Sequence, residues 1–125
     1  MAGDHGGTDI PMEVTAAVAQ YTFVMGSGGT GKTVANATAA SSNVFGIAQE
    51  AATASGDVIS IRVVGTSKLK LGGTVNCGDP IVSGAAGVGV ASAFASDDKI
   101  AAFATEYGVS GDIIEVVLRP ITQCN

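Results

Sequence analysis

The sequence predicts an all-β domain, a small β-barrel or β-sandwich made of two related β units, with an extended N-terminal arm. Three observations predict it. Val and Ile number 24 against 3 Leu in 125 residues, and β-branched side chains suit a pleated surface better than a helix. Short apolar runs alternate with turns rich in Gly, Ser and Asp along most of the chain. One order of strand, loop and turn occurs twice.

The elements follow in order. Residues 1–13 hold Gly3, Gly6, Gly7 and Pro11 and read as a flexible arm, since such termini stay loose until something holds them. Residues 14–125 form a single β-rich domain. In Tyr21–Met25, the side chains of Tyr21, Phe23 and Met25 share a face at period two. Val44–Ala48 is a second run. Val58–Val64 places Ile59, Ile61 and Val63 on one face and Ser60 and Arg62 on the other. Lys68–Leu71 alternates charge with Leu. Ile81–Val82 and Val88–Ala91 flank a Gly/Ala turn. Ile100–Ala104 and Ile113–Arg119 close the chain, with Ile114, Val116 and Leu118 alternating. Only Thr15–Gln20 and Glu50–Ala54 have the composition for short helical pieces.

Phe45-Gly-Ile-Ala-Gln-Glu50 leads to Ser55-Gly56-Asp57 and then Val58-Ile-Ser-Ile61. Ile100-Ala-Ala-Phe-Ala-Thr-Glu106 leads to Ser110-Gly111-Asp112 and then Ile113-Ile-Glu-Val116, with a loop one residue shorter. The expected repeat spans about 15–66 and 72–119.

Charge excludes several functions. The net charge is -5, with 14% charged residues against roughly 25% in ordinary soluble domains. Six Lys and Arg are too few for a phosphate-gripping surface, so no nucleic-acid partner is expected. The mean hydropathy of +0.41 implies surface hidden against other copies or a larger assembly. The uncharged stretches Thr33–Gln49 and Pro80–Ser96 are too short and too polar to span a membrane, so none is expected. No signal peptide is read at the start. His5 is the lone His, and Cys77 and Cys124 lie far apart, so no metal site is expected; the thiols read as free, with a bridge between Cys77 and Cys124 as the alternative.

Gly26-Ser-Gly-Gly-Thr-Gly31-Lys32-Thr33 matches the phosphate-binding loop in full. Its chemistry would be backbone N–H groups on phosphate, Lys32 on the β and γ oxygens and Thr33 on magnesium. That loop must open a helix, and Val34-Ala-Asn-Ala-Thr-Ala-Ala-Ser-Ser has no amphipathic face. No later strand ends in a metal-holding Asp. The segment therefore reads as a hairpin loop, and a small nucleotide-binding protein is the alternative function. Glu50 with Glu106 and Asp57 with Asp112 occupy matching places, but Ser-Gly-Asp before a strand is a turn signature rather than a catalytic pair. Asp97-Asp98-Lys99 reads as a solvated loop tip. No catalytic residue, cofactor or enzyme activity is expected.

Gly78-Asp-Pro-Ile-Val-Ser-Gly-Ala-Ala-Gly-Val, Phe45-Gly-Ile-Ala-Gln-Glu-Ala-Ala and Ser110-Gly-Asp-Ile-Ile-Glu-Val-Val-Leu resemble the capsid decoration, or cement, proteins of tailed phages. The resemblance covers roughly Val14 to Pro120 and rests on the spacing of Gly, Ala and short β runs. It implies a β domain on the outer surface of the capsid, bound to the major capsid protein and to itself, with a trimer favoured. Such a protein would be assembled in the host cytoplasm and would brace the shell against packaged DNA. It also implies an N-terminal arm that reaches a neighbour, here through Thr8, Asp9, Ile10, Pro11 and Met12. The longer Gly-rich arm and the full phosphate-loop match depart from the family pattern.

Overall fold

The computed structural model describes residues 7–27, 33–93 and 98–123, the last five by their backbone. The fold is almost wholly β. Among the described residues nine strands run in chain order: β1 (Gly7–Val14), β2 (Phe23–Gly26), β3 (Thr33–Asn36), β4 (Val44–Ala48), β5 (Val58–Lys70), β6 (Pro80–Ser83), β7 (Gly89–Ala91), β8 (Lys99–Ala104) and β9 (Ile113–Gln123). A 3-10 turn, Ala85–Gly87, joins β6 to β7. Neither Thr15–Gln20 nor Glu50–Ala54 is helical. Val18 in the first bridges Ala52 in the second instead, because each segment is short and finds backbone partners across the sheet rather than within itself.

The strand order is β1-β3-β2-β4-β5-β9-β8-β6-β7, and β1 also pairs with β5. That extra pairing closes β1, β3, β2, β4 and β5 into a five-stranded barrel, with the β1–β3 seam paired only at one end. The other four strands extend the sheet from the second half of β5.

The structure corrects the arm. Gly7–Glu13 belong to β1, which runs antiparallel to β5 from Gly7↔Gly65 to Glu13↔Val58 and parallel to β3 at Glu13↔Thr33 and Val14↔Val34. The physical reason is visible in Asp9-Ile-Pro-Met-Glu-Val14, where Ile10, Met12 and Val14 alternate with polar residues and Pro. Met12 and Val14 are buried and Ile10 packs against the same core. Pro11 is tolerated because β3 reaches β1 only at Glu13 and Val14, leaving an edge beside it. Residues 1–6 lie outside the described residues.

Lys68–Leu71 and Val58–Val64 are not separate strands. They fuse into β5, whose first half pairs with β1 and β4 and whose second half pairs with β9 from Gly65↔Leu118 to Lys70↔Ile113. Gly65, at φ +100°, stands where the strand passes from one set of partners to the other.

The same hydrogen bonds recur in the two halves. Val14 N–H donates to Asp57 O, and Leu71 N–H to Asp112 O. Val18 and Ala52 exchange both backbone bonds, as do Val75 and Gly108. Tyr21 N–H donates to Ala48 O as Gly78 N–H does to Ala104 O, both at 2.8 Å. Leu71 bridges Gly89 in parallel, as Val14 does Val34. The second half of β5 thus stands to β9, β8, β6 and β7 as β1 stands to β5, β4, β2 and β3.

The interior follows this correspondence. One core cluster holds Met12, Val14, Val18, Val24, Val34, Ala48, Ala52, Ile59 and Ile61. The corresponding positions of the second half, Leu69, Leu71, Val75, Ile81, Ala104, Ile114 and Val116, belong to the other cluster. Phe23, Val44 and Ile47 from β2 and β4 join that second cluster, so the second unit covers one outer face of the barrel. Phe23 and Ile47 are fully buried there, and burying each such side chain contributes about 1.5–3 kcal/mol.

The turns that precede the two long strands are built alike. Asp57 Oδ2 accepts from the N–H groups of Thr53 at 3.0 Å and Ala54 at 3.3 Å, and Asp112 Oδ2 accepts from Val109 N–H at 3.0 Å. Gly56 and Gly111, each just before its Asp, lie at φ +96° and +92°. Asp57→Ala is therefore expected to cost about 1 kcal/mol, a fall of about 3–6 °C in Tm. Asp112→Ala, with one N–H fewer to satisfy, should cost less. Thermal melts followed by circular dichroism check both. A larger fall for Asp112→Ala would contradict the turn assignment.

Candidate functional site

A solvent-open pocket of about 190 Å³ lies where the two halves meet, lined by Tyr21, Gln49, Arg62, Thr66, Ser67, Lys68 and Glu115. Its residues arrive from three directions. β5 brings Arg62, Thr66, Ser67 and Lys68, β9 brings Glu115, and the ends of the segments around β2 and β4 bring Tyr21 and Gln49. Lys68 and Glu115 are cross-strand partners in the β5–β9 ladder, where opposite charges attract.

The floor is firmly held. Gln49 Nε2 donates to Ile47 O at 3.1 Å and to Ser67 Oγ at 2.8 Å. The Ser67 hydroxyl, in a buried residue, donates in turn to Lys68 O at 2.9 Å. Gln20 Nε2 donates to Gln49 O at 3.1 Å. Arg62 donates from Nε and Nη2 to the two carboxylate oxygens of Asp9, and from Nη1 to Thr66 O at 2.6 Å. This fork ties β1 to β5 and fixes the guanidinium plane beside the pocket.

Tyr21 has a left-handed backbone, φ +62°, and among the described residues only Ala86 shares this without being Gly. A side chain in that region costs about 1–2 kcal/mol. Tyr21 is held there by its N–H bond to Ala48 O and by Lys70 N–H donating to Tyr21 O at 2.8 Å. The matching position of the second half is Gly78, at φ +91°.

Sequence reasoning named none of these pocket residues as a site. The residues it did name lie elsewhere. Thr8, Asp9 and Pro11 are exposed on β1, whereas Met12 is buried and Ile10 half-buried in the barrel. The phosphate-loop reading of Gly26–Thr33 fails on its flanks. Thr33–Asn36 is a strand, β3, antiparallel to β2 with Gly26 opposite Val34, where nucleotide binding needs a helix. Ser27 N–H donates to Thr33 O at 2.9 Å, and the Thr33 hydroxyl donates to Ser27 O. Residues 28–32, with Lys32, lie outside the described residues, as do His5 and Cys124.

Several carboxylates hold backbone N–H groups. Besides the Asp57 and Asp112 turns, Glu106 Oε2 accepts from Glu115 N–H at 2.9 Å, and Asp79 Oδ2 from Asn76 N–H at 2.8 Å. Asp98 is not a solvated tip residue. It is buried, accepting from the Ser92 hydroxyl at 2.7 Å and Ala93 N–H at 3.2 Å. Cys77 is exposed and donates its thiol to Thr105 O at 3.4 Å. Among the described residues no cluster of His, Cys, Asp and Glu is placed to hold a metal, and no helix is long and apolar enough to cross a membrane.

No protein family and no curated protein matches this sequence. The fold does match a solved structure, the crystal structure of the head fiber gp8.5 N base in bacteriophage phi29. The TM-score is 0.73, with 92% of this chain and 96% of that one covered, at 15% sequence identity. At that identity the likeness is one of fold.

Proposed function

We propose that the chain is a structural component of a phage particle, seated on the outer surface of the head and bracing it. The observation that carries this reading is the match to the head-fibre base, which takes in nearly the whole of both chains. The phage-capsid resemblance of the sequence points the same way without drawing on the fold. The composition fits as well, because a charge-poor acidic surface does not bind DNA tightly but can be covered by protein.

In this reading the partners are the major capsid protein and other copies of the chain, in a small closed oligomer such as a trimer. Two faces are candidates for contact. One is the exposed side of β1 at Thr8, Asp9 and Pro11, with Ile10 and Met12 serving the chain's own core. The other is the segment Tyr107–Ile113, where Tyr107, Val109 and Ile113 expose 60%, 38% and 52% of their surface. A base domain that anchors a longer fibre is the second reading, favoured by the name of the matching structure.

Bracing works by mass action. Binding to the assembled shell but not to its separated parts stabilises the assembled state by about RT ln(1 + [L]/Kd) at each site. Repeated over many copies, a modest affinity becomes a large effect. Particles made without the chain are expected to release DNA at lower temperature than complete ones, and adding the purified protein should restore the difference without ATP. A dye-release melt measures both. Equal release temperatures, with the chain missing from purified particles, would refute the reading.

A further inference from the structure

We propose that the pocket lined by Tyr21, Gln49 and Ser67 binds one neutral sugar ring of a longer saccharide. Tyr21 carries the first part of the case. Its backbone is left-handed at a position where the other half of the molecule has Gly78. Gly would remove the strain at position 21, yet an aromatic ring is kept there, and such strain collects where a side chain is used.

The size gives the second part. About 190 Å³ is below the roughly 300–1,000 Å³ that encloses a whole drug-sized ligand. An open pocket of this size takes one ring and lets the chain on either side run into solvent.

The third part is charge and polarity. Arg62 is engaged by Asp9, and Lys68 stands opposite Glu115. The two cations of the region are matched in number by the carboxylates of Asp9 and Glu115, which favours a neutral ligand over an anion. Gln49 commits Nε2 to Ile47 O and Ser67 Oγ, which leaves its Oε1 as an acceptor in a fixed place. The Tyr21 hydroxyl makes no hydrogen bond to another described residue. A sugar ring presents C–H groups to an aromatic face and O–H groups to an amide, a hydroxyl and an ammonium. Residues that carry all four kinds of group line this pocket. Such a site would serve the chain whether or not it sits on a virion, so its failure would leave the particle reading untouched.

The test is a titration of the full-length protein with neutral, N-acetylated and uronic-acid pentasaccharides, followed by amide chemical shifts. Saturable shifts at Tyr21, Gln49 and Ser67 are expected with a neutral or N-acetylated sugar. Tyr21→Gly should fold with an unchanged or higher Tm and bind at least tenfold more weakly. Gln49→Ala should also bind more weakly, and it decides the matter if Tyr21→Gly does not fold. The proposal is overturned if no saccharide shifts these residues, if only the acidic one does, or if both variants bind like the parent.

Discussion

Deleting residues 1–14 is expected to abolish cooperative folding. β1 is the stave that closes the barrel, paired with β5 over Gly7–Glu13 and with β3 at its end. Its loss takes Met12 and Val14 out of the core, at about 1.5–3 kcal/mol each. It also exposes Ile59 and Ile61 on the facing strand and leaves the Asp9–Arg62 fork without its carboxylate. A domain of this size holds only about 5–15 kcal/mol in total. The truncated chain should lose its sheet signal in circular dichroism and show no melting transition. A flexible arm over residues 1–13 would instead leave Tm within a degree or two of the parent. The same truncation therefore separates the two accounts of this segment.

Gly89→Val is expected to destabilise the second half by about 1–3 kcal/mol or more, the range for overpacked cores. The corresponding residue of the first half is Val34, so a Val here copies what the other half already holds. It fails because the neighbours differ. A Cβ on Gly89 would stand 2.5 Å from Leu69 Cδ2 and 3.1 Å from Ile81 Cγ2. Leu71 and Ile81 replace Val14 and Val24 and are each one methylene larger, Leu69 is a branched side chain where the first half has Met12, and Gly89 and Gly108 leave the room these need. A Cβ on Gly108 would likewise meet Leu71 Cδ1 at 2.7 Å. Adding Leu69→Ala to Gly89→Val should recover part of the loss, as expected for residues in contact. Chemical denaturation of the three variants measures this. Equal midpoints for Gly89→Val and the parent would show that the packing is looser than described.

Much of this fold was legible in local pattern. The alternation in Val58–Val64 and Ile113–Arg119 gave two long strands, and Ser-Gly-Asp gave their entry turns, because side-chain direction and turn chemistry are short-range properties. β1 carries the same alternation in Ile10, Met12 and Val14, but Gly7 and Pro11 spoke for an arm. What keeps it in the sheet is β5, some fifty residues away, and long-range pairing leaves no local mark. The fusion of two runs into β5 was hidden for the same reason, since Gly65 reads as a break and acts as a bend. Asp98 reads from its charged neighbours as a solvated tip, whereas its partners are a hydroxyl and an N–H, on Ser92 and Ala93, that no local pattern marks out. The pocket was not legible at all. Tyr21, Gln49, Arg62 and Glu115 are brought together only by topology, and the strain at Tyr21 could be suspected only by aligning it with Gly78.

The proposed placement of the chain on the outside of a phage head is tested most directly by imaging. In that reading the chain comes from a phage, and bare heads of that phage are mixed with the purified protein, sedimented, and viewed by electron microscopy. The account predicts that the protein sediments with the heads and adds regular density to their outer surface, at equivalent points of the shell. Protein left in the supernatant, with shells that look the same with and without it, would contradict it.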